Sequence, residues 1–384
     1  MPRKICVVIT ARPSYSRVKT ALRAIQAHPD LELQLVVTAS ALLDRYGEVV
    51  KFIEADGFTI TTKVYMVLEG ENPASMAKTT GLGVLELATV FDNLRPDAVV
   101  TIADRYETIA TAIAAAYLNI PLVHIQGGEV TGSIDEKVRH AVTKLADLHL
   151  VSNEHAAERV RRLGEDPAAV HVTGCPSIDI AADLHGASAL DFNIFERYGG
   201  VGGLKELNNG YLIVMQHPVT NEHAQAYAHV TETLHAIAAI GMPTLWFWPN
   251  VDAGADGTSK AIRAYREYHD TGHIRFFKHM DSLDFLRVAC NCKVLIGNSS
   301  VGIRECAYLG VPVVNIGSRQ AGRDRGANVL DVGYSQDAIA QAIQAQIAHG
   351  RYAPDLLYGD GRAGERIAQL LATAEFRTEK RLAY

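Results

Sequence analysis

The chain's 384 residues are enough for two domains with substantial cores, and its 48% hydrophobic content is that of an ordinary globular protein. A net charge of −6, with basic and acidic residues interspersed, argues against nucleic acid as a primary partner. No stretch approaches the roughly 20 apolar residues of a membrane span, Arg12 interrupts the short run Ile5–Ile9 too soon for a secretion signal, and five cysteines, an odd number, read as free thiols in a reducing cytoplasm.

Lys4–Thr10 (KICVVIT) is a continuous apolar run, the pattern of a parallel strand buried on both faces. A turn, Ala11–Ser16, and a helix over Arg17–Ala27 follow. The alternation repeats: strand Leu33–Thr38, helix Ala41–Ala55, strand Ile60–Met66, a loop at Glu69–Pro73, and helix Ala74–Leu94. Strands Ala98–Ile102 and Leu122–Gln126 come next, each leading through a polar turn into a helix. Helix Glu154–Leu163, strand Val170–Thr173 and the turn Gly174–Pro176 complete this half. The pattern dissolves over Asp191–Gly210, the best candidate for a linker. It restarts with strand Tyr211–Gln216, helix Glu222–Ile240 and strands Thr244–Trp248, Ile274–Lys278, Val294–Gly297 and Val313–Ile316. The expected fold class is α/β, with two Rossmann-like domains over residues 1–190 and 208–360. A last helix, 361–384, is expected to pack back on the first domain.

In open parallel sheets, ligands sit outside the carboxyl ends of the strands. Asp104, Arg105 and Glu107 follow one such end. Gln126, Gly127, Gly128 and Glu129 follow another, and Asp135, Glu136, Arg139 and His140 open the next helix. Carboxylates and a histidine gathered there suit acid/base work, although Asp135 and Glu136 alone would also favour a helix start. In the second half, Gly297–Cys306 (GNSSVGIREC) sets Ser299 and Ser300 at a helix start. That is either a phosphate cradle or a simple cap. Glu305 could accept from ribose hydroxyls, while Arg12, Arg319 and Arg323 could balance phosphate charge. His217 in QHPVTNE, Asn250 and Asp252 in FWPNVDAG, and Lys278 with His279 each follow a strand. There is no phosphate-binding G-x-x-x-x-G-K-[ST] loop and no G-x-G-x-x-G after the first strand, so ATP hydrolysis and nicotinamide chemistry lack support. Cys290 and Cys292 are too close together and too poorly supported for a zinc site.

Taken together, ADRYE, HIQGGEVTGSIDEKVRHA, TGCPSID, QHPVTNE, PNVDAG, KH and GNSSVGIRE with GVPVVNIGSRQAGR resemble the UDP-N-acetylglucosamine 2-epimerase family, in particular its hydrolysing branch. The resemblance runs from Arg12 to about Asn328. It implies a GT-B fold with a UDP-sugar between two Rossmann-like domains, and a homodimer. The implied chemistry removes the proton at sugar carbon 2 and expels UDP from carbon 1, leaving a 2-acetamidoglucal. Water then adds, and carbon 2 is reprotonated on the other face to give N-acetylmannosamine. This scheme requires no metal or redox cofactor.

By the same resemblance, Asp104 and Asp135 fall at catalytic acidic positions, with Glu136 beside the second, and His217 at the functional histidine. Arg12, His279, Ser299, Ser300 and Glu305 fall where the family holds UDP. Ser16, Gln126, Arg139, Asn250, Asp252, Lys278 and Arg319 complete the expected substrate contacts. Two positions depart from the animal members: Gln126 replaces Glu, and Ala41 stands where His is expected. An amide is no carboxylate base, so its task would pass to Glu129, Asp104 or Asp135. The alternatives are a 2-epimerase hydrolysing UDP-2,4-diacetamido-2,4,6-trideoxyglucose, a non-hydrolysing 2-epimerase, a GT-B glycosyltransferase, and a non-catalytic nucleotide-sugar sensor.

Overall fold

The computed structural model describes residues 1–43, 49–68, 73–102, 105–130, 134–184, 188–207, 210–249 and 255–383. They divide into two compact units. One is Met1–Val130, Ile134–Ile180 and Tyr358–Tyr384, and the other is essentially Ala181–Leu357.

In the first unit the order is β1 (Arg3–Ile9), α1 (Arg12–Ala27), β2 (Leu31–Thr38), α2 (Val49–Ala55), β3 (Ile60–Val64), α3 (Pro73–Leu94), β4 (Ala98–Ile102), α4 (Thr108–Tyr117), β5 (Leu122–Ile125), α5 (Ile134–Leu145), β6 (Leu148–Val151), α6 (Glu154–Arg162), β7 (Val170–Val172) and α7 (Pro176–Ala182). The seven strands form one sheet in the order β3-β2-β1-β4-β5-β6-β7, every pair parallel. The chain builds outward from β1 to β3, then restarts on the other side with β4. The β1/β4 boundary is thus the switch point, where such sheets open a crevice at their carboxyl ends. Strands β4 and β5 are buried along their whole length, which explains their unbroken apolar sequence.

In the second unit follow α8 (Ile194–Tyr198), β8 (Val201–Gly202), β9 (Leu212–Met215), α9 (Ala226–Ile240), β10 (Thr244–Phe247), α10 (Ala255–Tyr268), β11 (Ile274–Phe277), α11 (Ser282–Asn291), β12 (Val294–Gly297), α12 (Ser300–Ile303), α13 (Glu305–Tyr308), β13 (Val313–Ile316), β14 (Val329–Val332) and α14 (Gln336–His349). Their order is β14-β13-β12-β9-β10-β11-β8, and only β8 runs antiparallel. Here the switch point lies between β9 and β12.

Several elements differ from the sequence expectation. Helix α1 begins at Arg12 rather than Arg17, because Pro13 occupies the first turn, where a missing N–H costs nothing. Residues 39–42 form a 3₁₀ turn instead of opening a helix, and α2 starts only at Val49. Within the expected linker lie α8 and the edge strand β8, while β14, a partly exposed strand, was not among the expected elements.

The final helix, α15, is Ala363–Thr373 and does not continue to Tyr384. Its Ile367, Ala368 and Leu371 enter the same core as Val18, Ala21 and Leu22 of α1. A side chain at Gly364 would strike the Thr20 backbone at 2.7 Å, so glycine permits the close approach. The buried Asp179 carboxylate caps this helix, accepting from the Ala363 and Gly364 amides at 2.9 and 2.7 Å and from Thr20 Oγ1 at 2.9 Å. Among the described residues no helix is long and apolar enough to cross a membrane.

Candidate active site

In the second unit, the carboxyl ends of the three adjacent strands β9, β12 and β13 are tied together by one residue. Asn298, 1% exposed, follows β12. Its Oδ1 accepts from the His217 amide at 2.7 Å and its Nδ2 donates to the His217 carbonyl at 2.8 Å. Its own carbonyl accepts from Arg319 Nη1 at 3.1 Å and Gln320 Nε2 at 2.9 Å on the loop after β13. Gly297 makes this possible: its φ is +129°, and a Cβ there would lie 2.2 Å from the Met215 carbonyl oxygen. His217, Asn298, Ser299, Arg319 and Gln320 are thereby gathered at the switch point.

Ser299 caps α12, its Oγ accepting from the Val301 amide at 3.4 Å. Ser300 Oγ accepts from Arg304 Nη2 at 3.2 Å. The helix they open is only four residues long. It breaks at Arg304 (φ −103°, ψ −74°) before α13 begins at Glu305. Glu305 is buried; its Oε2 accepts no hydrogen bond among the described residues but lies 3.8 Å from Arg304 Nε, an ion pair.

Sequence reasoning missed the brace beneath this loop. Glu222, the last residue of QHPVTNE, accepts from Ser318 Oγ and from the Tyr334 hydroxyl at 2.8 Å. Tyr334 stacks on His229 at 3.4 Å between ring centroids. Burial and the Glu222 bond push the Tyr334 phenol up to about 12, so it stays a donor. Gln320 and Arg323 are also buried, joined by a 3.1 Å bond from Arg323 Nη1 to Gln320 Oε1. Glu222 lies 96 positions from Ser318 and 112 from Tyr334, so no local pattern signals this contact.

Lys278 and the half-buried His279 follow β11, two strands beyond β9. Asn250 and Asp252 lie outside the described residues, as does Asp104 in the first unit.

In the first unit the functional set centres on the turn after β5. Gln126 adopts φ +62°, a conformation unusual for a side-chain-bearing residue. It is buried, and its Nε2 lies 2.8 Å from Cys175 Sγ, which in turn lies 3.0 Å from Ser177 Oγ. Gly128, at φ +72°, packs where a Cβ would meet the Ala156 carbonyl oxygen at 2.2 Å. Glu129 follows, 4% exposed. Ser152 Oγ donates to its Oε1 at 2.9 Å, and Arg139 Nη1 donates to its main-chain carbonyl at 3.1 Å. Arg139 comes from α5, so that helix and the turn are joined directly.

Asp135 is the second residue of α5, and its side chain lies outside the described set. Glu136 faces His140 one turn on, Oε1 to Nε2 3.3 Å. Arg12 opens α1 with its guanidinium 5.5 Å from the Phe52 ring centre, and Ser16 is half-buried in the same helix. Behind the turn, His124 is fully buried, its Nδ1 3.1 Å from Thr143 Oγ1. Burial, with His149, Arg139, Lys380 and His140 nearby, holds its pKa well below the usual histidine value. All five cysteines are free, and no group of three or more His, Cys, Asp or Glu that could hold a metal occurs among the described residues.

Two seven-stranded Rossmann-like units, with polar side chains gathered beyond the carboxyl ends of their strands, place the chain in the GT-B class. A family model described as UDP-N-acetylglucosamine 2-epimerase matches residues 23–372. The UDP-N,N'-diacetylbacillosamine 2-epimerase (hydrolyzing) of Legionella pneumophila is 34% identical over 97% of this chain and 96% of its own. The UDP-N-acetylglucosamine 2-epimerase of Neisseria meningitidis serogroup B is 31% identical over 98% and 96%. The crystal structure of the Methanocaldococcus jannaschii UDP-GlcNAc 2-epimerase in complex with UDP-GlcNAc and UDP shares the fold, with a TM-score of 0.77 at 17% identity over 96% of this chain and 99% of that one. The chain belongs to the UDP-N-acetylglucosamine 2-epimerase family.

Proposed function

We propose that the protein is a hydrolysing 2-epimerase of a UDP-2-acetamido sugar. The second unit supplies the nucleotide contacts: Ser299, Ser300 and Arg319 for the pyrophosphate, Glu305 for the ribose, and His217 at the departing phosphate, with Arg12 of the first unit adding positive charge. A carboxylate of the first unit, Asp104, Asp135 or Glu129, takes the carbon-2 proton as the bond from carbon 1 to UDP breaks. Water then adds at carbon 1 of the glucal, and a proton returns to carbon 2 from the opposite face. Carbon 2 is weakly acidic, so the step needs both a placed base and stabilised charge on the leaving pyrophosphate.

The observation that carries this reading is Glu129. It is a buried carboxylate at the carboxyl end of β5, in a chain 34% identical to a relative whose name specifies hydrolysis. Gln126 fits the same reading, since its carboxamide is engaged by Cys175 and leaves the base to a neighbouring carboxylate. The sequence expectation put UDP-N-acetylglucosamine first. The 34% relative is named for the sugar that carries a second acetamido group at carbon 4, and the 31% relative for UDP-N-acetylglucosamine, so we place the 4-acetamido sugar first and test both.

Proton NMR in deuterated water, with each UDP-sugar in turn, is the test. The expected outcome is UDP plus the free manno sugar, deuterated at carbon 2. Formation of a UDP-manno sugar would assign the non-hydrolysing reaction. Binding of both sugars without turnover of either would sink the enzyme reading.

A further inference from the structure

After α15 the chain runs on through Ala374–Ala383 without helix, yet it is not loose. Arg3 Nη1 donates to the carbonyls of Leu371 and Ala374 at 3.1 and 2.7 Å, and its guanidinium lies 5.2 Å from the Phe376 ring centre. The Ala383 amide donates to the Gly164 carbonyl at 3.1 Å. Between these anchors Lys380 turns inward. Its Nζ donates to the Thr143 carbonyl at 3.2 Å and to that of Ala146, and lies 2.5 Å from Glu165 Oε2.

These two carbonyls belong to the end of α5, the pole where a cation is favoured. Glu165 is buried and also meets Lys144 Nζ at 2.5 Å and His149 Nε2 at 3.0 Å. The Thr143 hydroxyl reaches His124 Nδ1, and a side chain at Gly127 would meet that same nitrogen at 2.9 Å and Thr143 Oγ1 at 3.1 Å. His124 therefore forms the floor of the Gln126–Glu129 turn. Helix α5 carries Asp135, Glu136 and Arg139 at its other end.

We propose that Lys380 is a positioning residue: the C-terminal segment is a strap whose ammonium fixes α5 and, through Thr143 and His124, the turn bearing Gln126 and Glu129. This rests on the function proposed above, where those groups touch the substrate. A terminal segment held only for stability would affect the whole first unit alike. A strap acts on the turn and on α5.

The experiment compares full-length Lys380→Met, Lys380→Arg and Lys144→Met with the parent chain. Lys144→Met removes a cation from the same carboxylate without touching the two carbonyls. For Lys380→Met, kcat falls about tenfold with KM within about twofold, the pattern of misplaced groups rather than lost binding. Lys380→Arg recovers to within about threefold, and Lys144→Met stays within about twofold of the parent. Hydrogen exchange in Lys380→Met rises at Gly127–Val130 and Lys137–Thr143 but not across β1 and β2. This reading needs no turnover, so it separates the strap from the proposed reaction. Unchanged kcat with unchanged exchange, equal loss in Lys144→Met, or exchange raised evenly through the first unit overturns the proposal. Should Lys380→Met fail to fold, Thr143→Val cuts the same path at the hydroxyl and must give the same local exchange; no change there also overturns it.

Discussion

Residue-level chemistry explains why a glutamine can stand at position 126. A carboxylate there would sit in a buried place, at positive φ, against the Cys175 thiol. Burying a charge without a partner is costly, whereas an amide donates to sulfur without charge. The carboxylate that remains, Glu129, has Ser152 as a donor and Arg139 alongside. The floor of the turn makes a pH prediction. His124 favours its neutral form in the folded chain because burial and nearby cations disfavour charge, while the unfolded chain titrates near 6.5. Its contribution to stability is therefore present above about pH 6.5 and is lost as pH falls below it, where the unfolded state binds the extra proton. Glu165 acts at lower pH: burial would raise it, but bonds from His149, Lys144 and Lys380 hold it at about 2, so its contribution is lost as pH falls from about 4.5, the unfolded value, towards 2. Urea unfolding at about pH 7.5 and about pH 5 should show a lower midpoint in acid, and His124→Asn should reduce the difference without abolishing it, since burial also lowers His149, His229 and His273. Equal midpoints in the parent chain would remove His124 from the balance.

At the scale of elements, the anion cradle is made by loops rather than by a helix. With α12 only four residues long, the aligned peptide dipoles of a full helix are missing. Asn298 compensates by locking the ends of β9, β12 and β13 into one surface. Its removal leaves the buried His217 amide and carbonyl without their side-chain partners. Asn298→Ala should cost about 2 kcal/mol of stability. It should also weaken UDP binding about tenfold, since His217 loses the side chain that fixes its backbone while Arg319 keeps its bond to the main-chain carbonyl. Denaturant titration and calorimetry with UDP read the two effects. A stability loss with undiminished UDP affinity would make Asn298 a structural lock only and move the nucleotide contacts elsewhere.

For the whole molecule, α3 raises the question of a partner. Its Leu85 is 68% exposed, and Gly81 lies in mid-helix where a Cβ would meet nothing within 4 Å. Glycine inside a helix costs up to about 1 kcal/mol against alanine, and nothing within the chain requires it here. The family resemblance implies a homodimer, and this face is one candidate seam to test. Sedimentation should give twice the 41.7 kDa chain mass, and Leu85→Lys should halve it. A monomeric parent chain would reject the idea.

The alternation of buried strands with helices was legible in the sequence, because strands covered on both faces must be apolar throughout, as Ala98–Ile102 and Leu122–Ile125 are. So were the polar residues at their carboxyl ends, because local order alone places them there. Short or half-exposed pieces such as β8 and β14 were not, since a strand exposed along one side needs no apolar signature. Only the tertiary structure decided which distant groups meet. Glu222 with Tyr334, Gln126 with Cys175, Asp179 with the start of α15 and Lys380 with Glu165 are contacts across 49 to 215 positions. Sequence spacing fixes what lies one turn or one strand apart. Contacts at such separations exist only once the sheet order has brought their elements together.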